Sequence, residues 1–261
     1  MQSTTTRFHH NKLSASIHYP DSATELAPAI IFVHGFIGNK VGAHRLFYQA
    51  ANYLTQNGFI CFRFDFSGCG ESDGEYEHVT VTKQLDELNA AIEYVSGLKG
   101  VNPEEITLIG HSLGGAITAL TAPKYPQFKQ VVLWSPVARP YTDITSITGE
   151  EAVQTAEIEG TFDYNGFLLS HAFFTDLKQH DPLQTITSYQ GDVLLIHGDQ
   201  DHDVPVKNIN LYLEFLQRKG QATDYTLISG GDHTFANHHW KKRLFKETTS
   251  WLLNRVNLEA F

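Results

Sequence analysis

The chain of 261 residues is poor in several features, and each shortage excludes a class of protein. Its two cysteines, Cys61 and Cys69, are too few for the disulfide framework of a small secreted protein. Lysine and arginine total 19 against 29 aspartates and glutamates, and this net charge of −10 argues against nucleic acid or an anionic membrane surface as the main partner. No apolar run approaches the roughly 18 residues that a membrane span needs.

The composition and the first residues favour a cytoplasmic globular protein. Residues 1–13 contain polar threonines and histidines where a signal peptide has its apolar centre, so secretion is not expected. Hydrophobic residues make up 41% of the chain, which is enough to bury a full core in one domain with an insertion. The unusual excess is 14 histidines, which raises the question of a metal site or a pH-sensitive device.

Short apolar runs separated by stretches of helical spacing predict an α/β fold. Most runs are continuously apolar, as in strands covered on both faces, whereas residues 13–19 alternate like an edge strand. The predicted strands are residues 13–19, 29–34, 59–64, 106–110, 131–134, 193–197 and 225–228. Apolar residues at intervals of three and four predict helices over residues 43–57, 79–96, 113–124, 207–219 and 240–256. This order predicts a mostly parallel sheet with helices on both faces.

Residues 137–187 break the alternation. They show no clear strand, and a stretch rich in threonine, glutamate and glycine is followed by an aromatic one. An excursion of about fifty residues is too long for a simple loop, and ligands of such sheets bind at the strand ends. We therefore expect an inserted lid or cap subdomain, with residues 1–136 and 188–261 forming the core. Surface structure without a role is the alternative.

The most specific motif is the pentapeptide Gly110-His111-Ser112-Leu113-Gly114, a G-x-S-x-G pattern. It follows a predicted strand and opens a predicted helix, which is the context of a nucleophile elbow. The tight turn lifts the Ser112 hydroxyl clear of the sheet, and the helix N-terminus presents N–H groups toward developing negative charge. The pattern predicts a nucleophilic serine, and an ordinary helix-cap serine is the alternative.

A serine nucleophile needs a base, and His233 has the right position. It follows two glycines directly after the predicted strand of residues 225–228, at the same sheet edge as Ser112. The rival histidines are less well placed. His238 and His239 fall in or just before the last helix, and His197 ends a strand, where packing is expected.

The acid that orients the base is expected in the loop of residues 198–205. Three aspartates compete there. Asp199 falls in a tight turn where its side chain can bind local backbone N–H groups, and Asp203 could cap the following helix. Asp201 lies in the middle of the loop and is best placed to reach His233, so we favour it.

Two backbone N–H groups are candidates for an oxyanion hole. His34-Gly35-Phe36 closes the strand of residues 29–34, and the turn can aim the Phe36 N–H at the same point as the Leu113 N–H. We expect His34 to support this loop by hydrogen bonding.

With these motifs in place, the chain resembles the serine hydrolases of the α/β-hydrolase superfamily along nearly its whole length. The matching blocks are residues 32–36, 65–72, 110–115, 198–205 and 231–233, in that order. The resemblance implies Ser112, Asp201 and His233 as a catalytic triad and Phe36 and Leu113 as oxyanion donors, in agreement with the assignment from the residues.

Within the superfamily the chain is similar to bacterial cinnamoyl (feruloyl) esterases in its length and in the place of its insertion. This likeness implies that an acid and a tyrosine of the insertion hold the phenolic hydroxyl of the substrate. Asp143 is the candidate acid, and a solvated loop aspartate is the alternative. Leu168 stands where the tyrosine is expected, which leaves Tyr164 and Tyr141 as candidate substitutes.

The predicted activity is two-step acyl transfer from a small aryl or short acyl ester, such as a hydroxycinnamate, with no cofactor. A thioesterase, lipase or small peptidase or amidase would use the same triad, and a ligand receptor on a hydrolase scaffold is an alternative of another class. The spacing of Asp201-His202-Asp203 and of His238-His239 matches no standard zinc set, so no metal is expected. The sequence leaves the oligomeric state open, a homodimer included.

Overall fold

The computed structural model describes residues 2–21, 26–218, 220 and 223–255, and ten strands and nine α-helices lie within them. The strands are β1 (Gln2–Phe8), β2 (Leu13–Tyr19), β3 (Ala27–Val33), β4 (Ile60–Phe64), β5 (Val101–His111), β6 (Gln130–Trp134), β7 (Thr161–Tyr164), β8 (Phe167–Ser170), β9 (Asp192–Gly198) and β10 (Thr223–Ile228). The helices are α1 (Leu46–Thr55), α2 (Val81–Ser96), α3 (Leu113–Thr121), α4 (Pro140–Thr148), α5 (Glu150–Glu159), α6 (His171–Leu177), α7 (Pro182–Ile186), α8 (Lys207–Gln217) and α9 (His238–Leu253). Lys219 and Val256, the last residues of two predicted helices, lie outside the described residues.

Eight of the strands form one sheet in the order β1-β2-β4-β3-β5-β6-β9-β10. β2 pairs antiparallel with both β1 and β4, and the neighbours from β4 to β10 pair in parallel. The predicted mostly parallel sheet is therefore confirmed. Strand β1 was not expected, because its largely exposed residues carry no apolar pattern that would mark a strand.

Helices cover both faces of the sheet, and this explains why the central strands are continuously apolar. Along β3, Ile30 and Phe32 pack in the cluster that contains side chains of α1 and α9. Ile31 and Val33 point to the opposite face and join the cluster that contains side chains of α2, α3 and α8. Each successive residue of the strand is thus buried against a different layer.

The sheet positions a crevice between the carboxyl ends of β3 and β5. The chain leaves β3 toward α1 on one face, and it leaves adjacent β5 toward α3 on the other. Such a divergence of neighbouring connections opens a cleft where α/β proteins bind ligands. The loops that follow β9 and β10 start from the same carboxyl end of the sheet, because the two strands are parallel.

The segment between β6 and β9 contains α4, α5, the β7–β8 hairpin, α6 and α7. The expectation that residues 137–187 hold no clear strand was wrong, since β7 and β8 pair antiparallel across Asn165-Gly166. Both turn residues have positive φ, 54° for Asn165 and 85° for Gly166, as a two-residue type I′ turn requires. The Asn-Gly pair between two short aromatic runs was the signal that could have identified the hairpin.

Across the described residues, no helix combines the length and the apolar character that crossing a bilayer requires.

Candidate active site

Ser112 lies in a strained turn between β5 and α3. Its φ of 59° and ψ of −125° belong to a region that residues with a side chain rarely occupy. The turn is held on both sides, because Ser112 N donates to Trp134 O at 3.0 Å and Val137 N donates to Ser112 O at 3.0 Å. Strain that the surrounding hydrogen bonds maintain in this way is typical of a functional position.

Two glycines allow the backbone to pass close to this turn. A Cβ atom on Gly114 would collide with the carbonyl oxygen of Val33, at the end of β3. A Cβ atom on Gly35 would lie 2.8 Å from the Ser112 Cβ. Glycine at both positions therefore lets the loop after β3 approach the serine.

His233 contacts the candidate acid directly. Its Nδ1 donates to Asp201 Oδ2 at 2.7 Å, so the neutral ring carries its proton on Nδ1 and leaves the Nε2 lone pair free. Asp201 Oδ1 in turn accepts from the backbone N–H groups of Asp203 and Val204, at 3.0 and 2.8 Å. His233 and Ser112 line the same cavity, so the three predicted residues come together at one edge of the sheet.

The other two aspartates of the loop occupy different positions. Asp199 Oδ1 accepts from Gly230 N at 2.7 Å, which ties the loop after β9 to the loop after β10. This agrees with the alternative that Asp199 binds backbone N–H groups. Asp203 does not cap α8, whose N-cap residue is Val206, and instead lies exposed on the cavity wall.

A second histidine contacts Asp201 from the protein interior. His197 is fully buried, and its Nε2 donates to Val204 O at 2.9 Å and lies 3.2 Å from Asp201 Oδ2. Burial alone would raise the pKa of Asp201, but the hydrogen bonds from His197 and His233 outweigh it and hold this pKa well below its ordinary value. The carboxylate is therefore ionised throughout the neutral range.

A third histidine, His111, supports the loop that carries His233. His111 Nε2 donates to the His233 carbonyl oxygen at 2.7 Å, and the two rings lie 4.8 Å apart. Burial, together with the neighbouring His233, lowers the pKa of His111 to about 3, so its ring is neutral near pH 7. Nothing in the sequence marks His111, because the variable positions of a G-x-S-x-G motif carry no requirement for a histidine.

The loop after β3 is fixed by its own set of hydrogen bonds. His34 Nε2 accepts from Phe66 N at 3.0 Å, while its Nδ1 donates to Gly35 O at 3.0 Å. Ile37 N donates to the Tyr76 hydroxyl at 3.2 Å. These contacts position the Phe36 backbone, and they agree with the supporting role expected for His34.

The far end of that loop is held by a buried ion pair. Lys40 Nζ lies 2.5 Å from Asp65 Oδ2, and Lys40 N donates to Asp65 Oδ1 at 2.5 Å. Asp65 also accepts from Glu71 N at 3.0 Å, so it ties the loop after β4 to the loop after β3. Leu113, the other candidate oxyanion donor, is the first residue of α3, where helix geometry leaves the N–H without an intrahelical acceptor.

A cavity of about 380 Å³ opens beside Ser112. Phe36, Phe47 and Ile147 contribute apolar surface, and Tyr164 reaches it from the β7–β8 hairpin. The Phe36 ring also stacks on Phe173 of α6, with ring centres 5.7 Å apart. Side chains of the insertion therefore form part of the wall, Tyr164 and Ile147 among them.

Asp143, the candidate acid of the insertion, is not brought to this cavity. It is buried in the first turn of α4, where its Oδ2 accepts from Ala138 N, Arg139 N and Asn208 Nδ2 at 3.0, 3.1 and 2.7 Å. The alternative of a solvated loop aspartate is also wrong. The carboxylate joins the start of α4 to α8, which is a structural contact.

The histidines do not form a metal centre in the described part of the chain, where no group of three histidine, cysteine or carboxylate side chains has the grouping that a metal needs. Cys61 and Cys69 are both buried, and burial raises the pKa of each thiol to about 12.

Comparison with known proteins places the chain in a family. The sequence matches the prolyl oligopeptidase family over residues 45–259. The structure of Est1E from Butyrivibrio proteoclasticus with ferulic acid bound is similar, with a TM-score of 0.81 and 25% identity over 94% of this chain and 95% of that one. These findings confirm the predicted superfamily and fold.

Among the curated relatives, some are named as esterases or thioesterases. Esterase EstD from Thermotoga maritima is 24% identical over 87% of this chain and 62% of its own length. The mitochondrial palmitoyl-protein thioesterase ABHD10 from Bos taurus is 26% identical over 69% of this chain and 58% of its own length. The chain thus spans less than two thirds of the length of these relatives.

Proposed function

The chain belongs to the prolyl oligopeptidase family and has the α/β-hydrolase fold, and on this premise we propose that it is a serine carboxylic-ester hydrolase. Ser112 is the nucleophile, His233 the general base and acid, and Asp201 the group that orients His233. The backbone N–H groups of Phe36 and Leu113 form the oxyanion hole. Residues 137–187 act as a lid over the strand ends.

One observation carries this proposal. His233 Nδ1 is bound to the buried Asp201 carboxylate at 2.7 Å, and the ring lines the same cavity as Ser112, which is held in a strained conformation. Its second ring nitrogen has no hydrogen-bond partner among the described residues, so this nitrogen is free to act as a base in that cavity. The proposed base, acid and nucleophile come from three different loops at the carboxyl end of the sheet, which is the arrangement of α/β hydrolases.

The mechanism follows from the tautomer. With Nδ1–H donated to Asp201, His233 Nε2 takes the Ser112 proton as the oxygen attacks the ester carbonyl carbon. The oxyanion accepts hydrogen bonds from the Phe36 and Leu113 N–H groups, each worth about 3 kcal/mol of barrier. His233 then protonates the leaving alcohol, and a water molecule activated by the same nitrogen releases the acid from Ser112.

The substrates we propose are small aryl or short acyl esters, hydroxycinnamates among them. The similar Est1E structure holds ferulic acid, and the aromatic side chains of Phe36 and Tyr164 line the cavity here. Recognition of the phenolic group falls to Tyr164 rather than to Asp143, whose carboxylate is occupied by backbone and amide donors.

A thioester is the second candidate bond, because one relative bears the name of a palmitoyl-protein thioesterase. The same triad attacks a thioester carbonyl without any change of mechanism. Substrate preference therefore decides between the two functions, and mutation of the triad does not.

The test is hydrolysis of methyl ferulate, 4-nitrophenyl acetate and palmitoyl-CoA by the wild-type protein and by Ser112→Ala. We expect ester turnover that falls by about 10⁶-fold in the variant. Ser135→Ala is the matched control, since Ser135 is also buried at the end of a strand with a positive φ of 42° but does not line the cavity. Turnover that persists in Ser112→Ala would overturn the assignment, and a preference for palmitoyl-CoA would favour the thioesterase.

A further inference from the structure

The charged side chain that lines the cavity beside Ser112 is negative. Asp203 is the one carboxylate among the described lining residues, and no lysine or arginine is among them. Lys241 lies outside the lining, where its Nζ donates to His44 O at 3.1 Å. The two cations next to lining residues in sequence direct their charged ends elsewhere. Lys40 pairs with a buried carboxylate behind the loop, and Arg45 lies over a tyrosine ring at 4.5 Å.

The Asp203 carboxylate is available to a ligand. It is exposed, and it forms no hydrogen bond or ion pair with another described residue. Its position is nevertheless defined, because Asp203 N donates to Asp201 Oδ1 at 3.0 Å and the next residue donates to the same oxygen. The backbone that carries this carboxylate is thus held two residues from the group that orients His233.

The chemistry of the site shows which end of an ester this charge faces. His233 delivers a proton to the leaving alcohol, so the alcohol oxygen must lie within hydrogen-bond reach of its ring. Asp203 lines the cavity together with His233 and Thr234. Its backbone N–H is bound to Asp201, the residue that contacts His233. An ester whose alcohol oxygen lies at His233 therefore directs its alcohol part toward Asp203.

We propose that Asp203 selects the alcohol part of the substrate by charge, an inference that rests on the proposed esterase function. Esters of neutral alcohols or of alcohols that carry an ammonium group are accepted, and esters of alcohols that carry a carboxylate are disfavoured. Because Asp203 is exposed, the discrimination is moderate and depends on salt. Between a cationic and an anionic alcohol of equal size we expect roughly a tenfold difference in kcat/KM at low ionic strength.

The experiment uses three benzoate esters that share their acyl group. The alcohols are choline, its uncharged analogue 3,3-dimethylbutanol, and 4-hydroxybutanoate. The value of kcat/KM for each is measured at about 20 mM and about 500 mM NaCl, where the screening length differs several-fold. The variants are Asp203→Asn and, as a matched control, Asp199→Asn, which removes an equal charge from the same loop but does not line the cavity.

In the wild-type protein we expect the order cationic, neutral, anionic, with ratios that shrink at high salt. Asp203→Asn should bring the three values together, and Asp199→Asn should keep the wild-type ratios. Equal values for the three esters in the wild-type protein, or ratios unchanged in Asp203→Asn, would overturn the charge selection while leaving the esterase function intact. If none of the three esters is hydrolysed, the proposed esterase function is overturned, and the charge selection with it.

Discussion

The loops at the strand ends and the inserted residues 137–187 shape one cavity by different means. The strand-end loops hold their residues with backbone strain and charged hydrogen bonds, as at Ser112 and Asp201. The insertion contributes aromatic packing, with Tyr164 on the wall and Phe173 stacked on Phe36. Hydrogen-bonded geometry tolerates little change, whereas an apolar wall can be altered while the chemistry continues. Under the proposed function, the strand ends supply the reaction and the charge of Asp203, and the insertion supplies apolar contacts to the substrate.

After the nucleophile itself, the largest effect is expected at the acid. Asp201→Asn replaces a carboxylate that accepts from two histidines and two backbone N–H groups, so His233 loses the partner that fixes its tautomer. We expect kcat to fall by about 10⁴-fold. Steady-state kinetics with a 4-nitrophenyl ester measure it, and Asp199→Asn is the control. A loss of less than about tenfold would remove Asp201 from the mechanism and break the contrast with the insertion.

The next effect concerns the ion pair behind the oxyanion loop. Lys40→Met leaves the Asp65 charge buried without its partner, and we expect a loss of about 3–5 kcal/mol in the free energy of unfolding, with a lower kcat because Phe36 is displaced. Glu71→Gln is the matched control, because Glu71 pairs with the same lysine but is 72% exposed, and it should cost less than about 1 kcal/mol. Urea unfolding measures both. Equal losses would mean that the buried pair does not hold the loop.

Acid should act on the core rather than on the insertion. Burial, assisted by Arg63, lowers the pKa of His18 to about 4, and burial lowers that of His111 to about 3, whereas neither histidine of residues 137–187 is buried. As the pH falls below about 6.5, these histidines take up protons in the unfolded chain but stay neutral in the folded protein. The free energy of unfolding therefore decreases as the pH falls. We expect a loss of about 2 kcal/mol for each of the two histidines between pH 7 and pH 5.

The measurement for the acid effect is urea unfolding at the two pH values. His78→Gln should keep the wild-type pH dependence, since the His78 side chain is 69% exposed. A free energy of unfolding that is the same at pH 7 and pH 5 would contradict the account of the buried histidines.

The smallest effect is expected in the insertion. Tyr164→Ala opens the cavity wall and should raise KM for an aryl ester about five- to tenfold with little change in kcat, because the lost contact is apolar. Tyr164→Phe tells whether the ring or the hydroxyl makes the contact. Ile158→Ala, at an exposed position of α5, should leave KM and kcat unchanged. A fall in kcat comparable to that of Asp201→Asn would show that the insertion takes part in the reaction itself.

Much of the core could be predicted because local rules fix it. The apolar strands, the Gly110–Gly114 turn and the glycines before His233 each have a sequence pattern with a physical cause. Strand β1 was not predicted, because its largely exposed residues carry no apolar pattern. The hairpin around Asn165-Gly166 was missed although its turn signal was present.

The contacts that support the site depended on the tertiary structure. No spacing in the sequence indicates that His111 reaches the His233 carbonyl, or that Lys40 meets Asp65. Asp143 shows the limit of a family resemblance. The resemblance suggested that its carboxylate binds the substrate, whereas in this structure the carboxylate accepts hydrogen bonds from Ala138 N, before α4, and from Asn208.

The most direct test of the central claim is to trap the acyl-enzyme. The wild-type protein is incubated with a fluorophosphonate or a slowly hydrolysed aryl ester, and the modified peptide is sequenced by mass spectrometry. We expect one adduct, on Ser112, that forms far more slowly in His233→Gln and is absent from Ser112→Ala. An adduct on another residue, or one that survives in Ser112→Ala, would contradict the central claim.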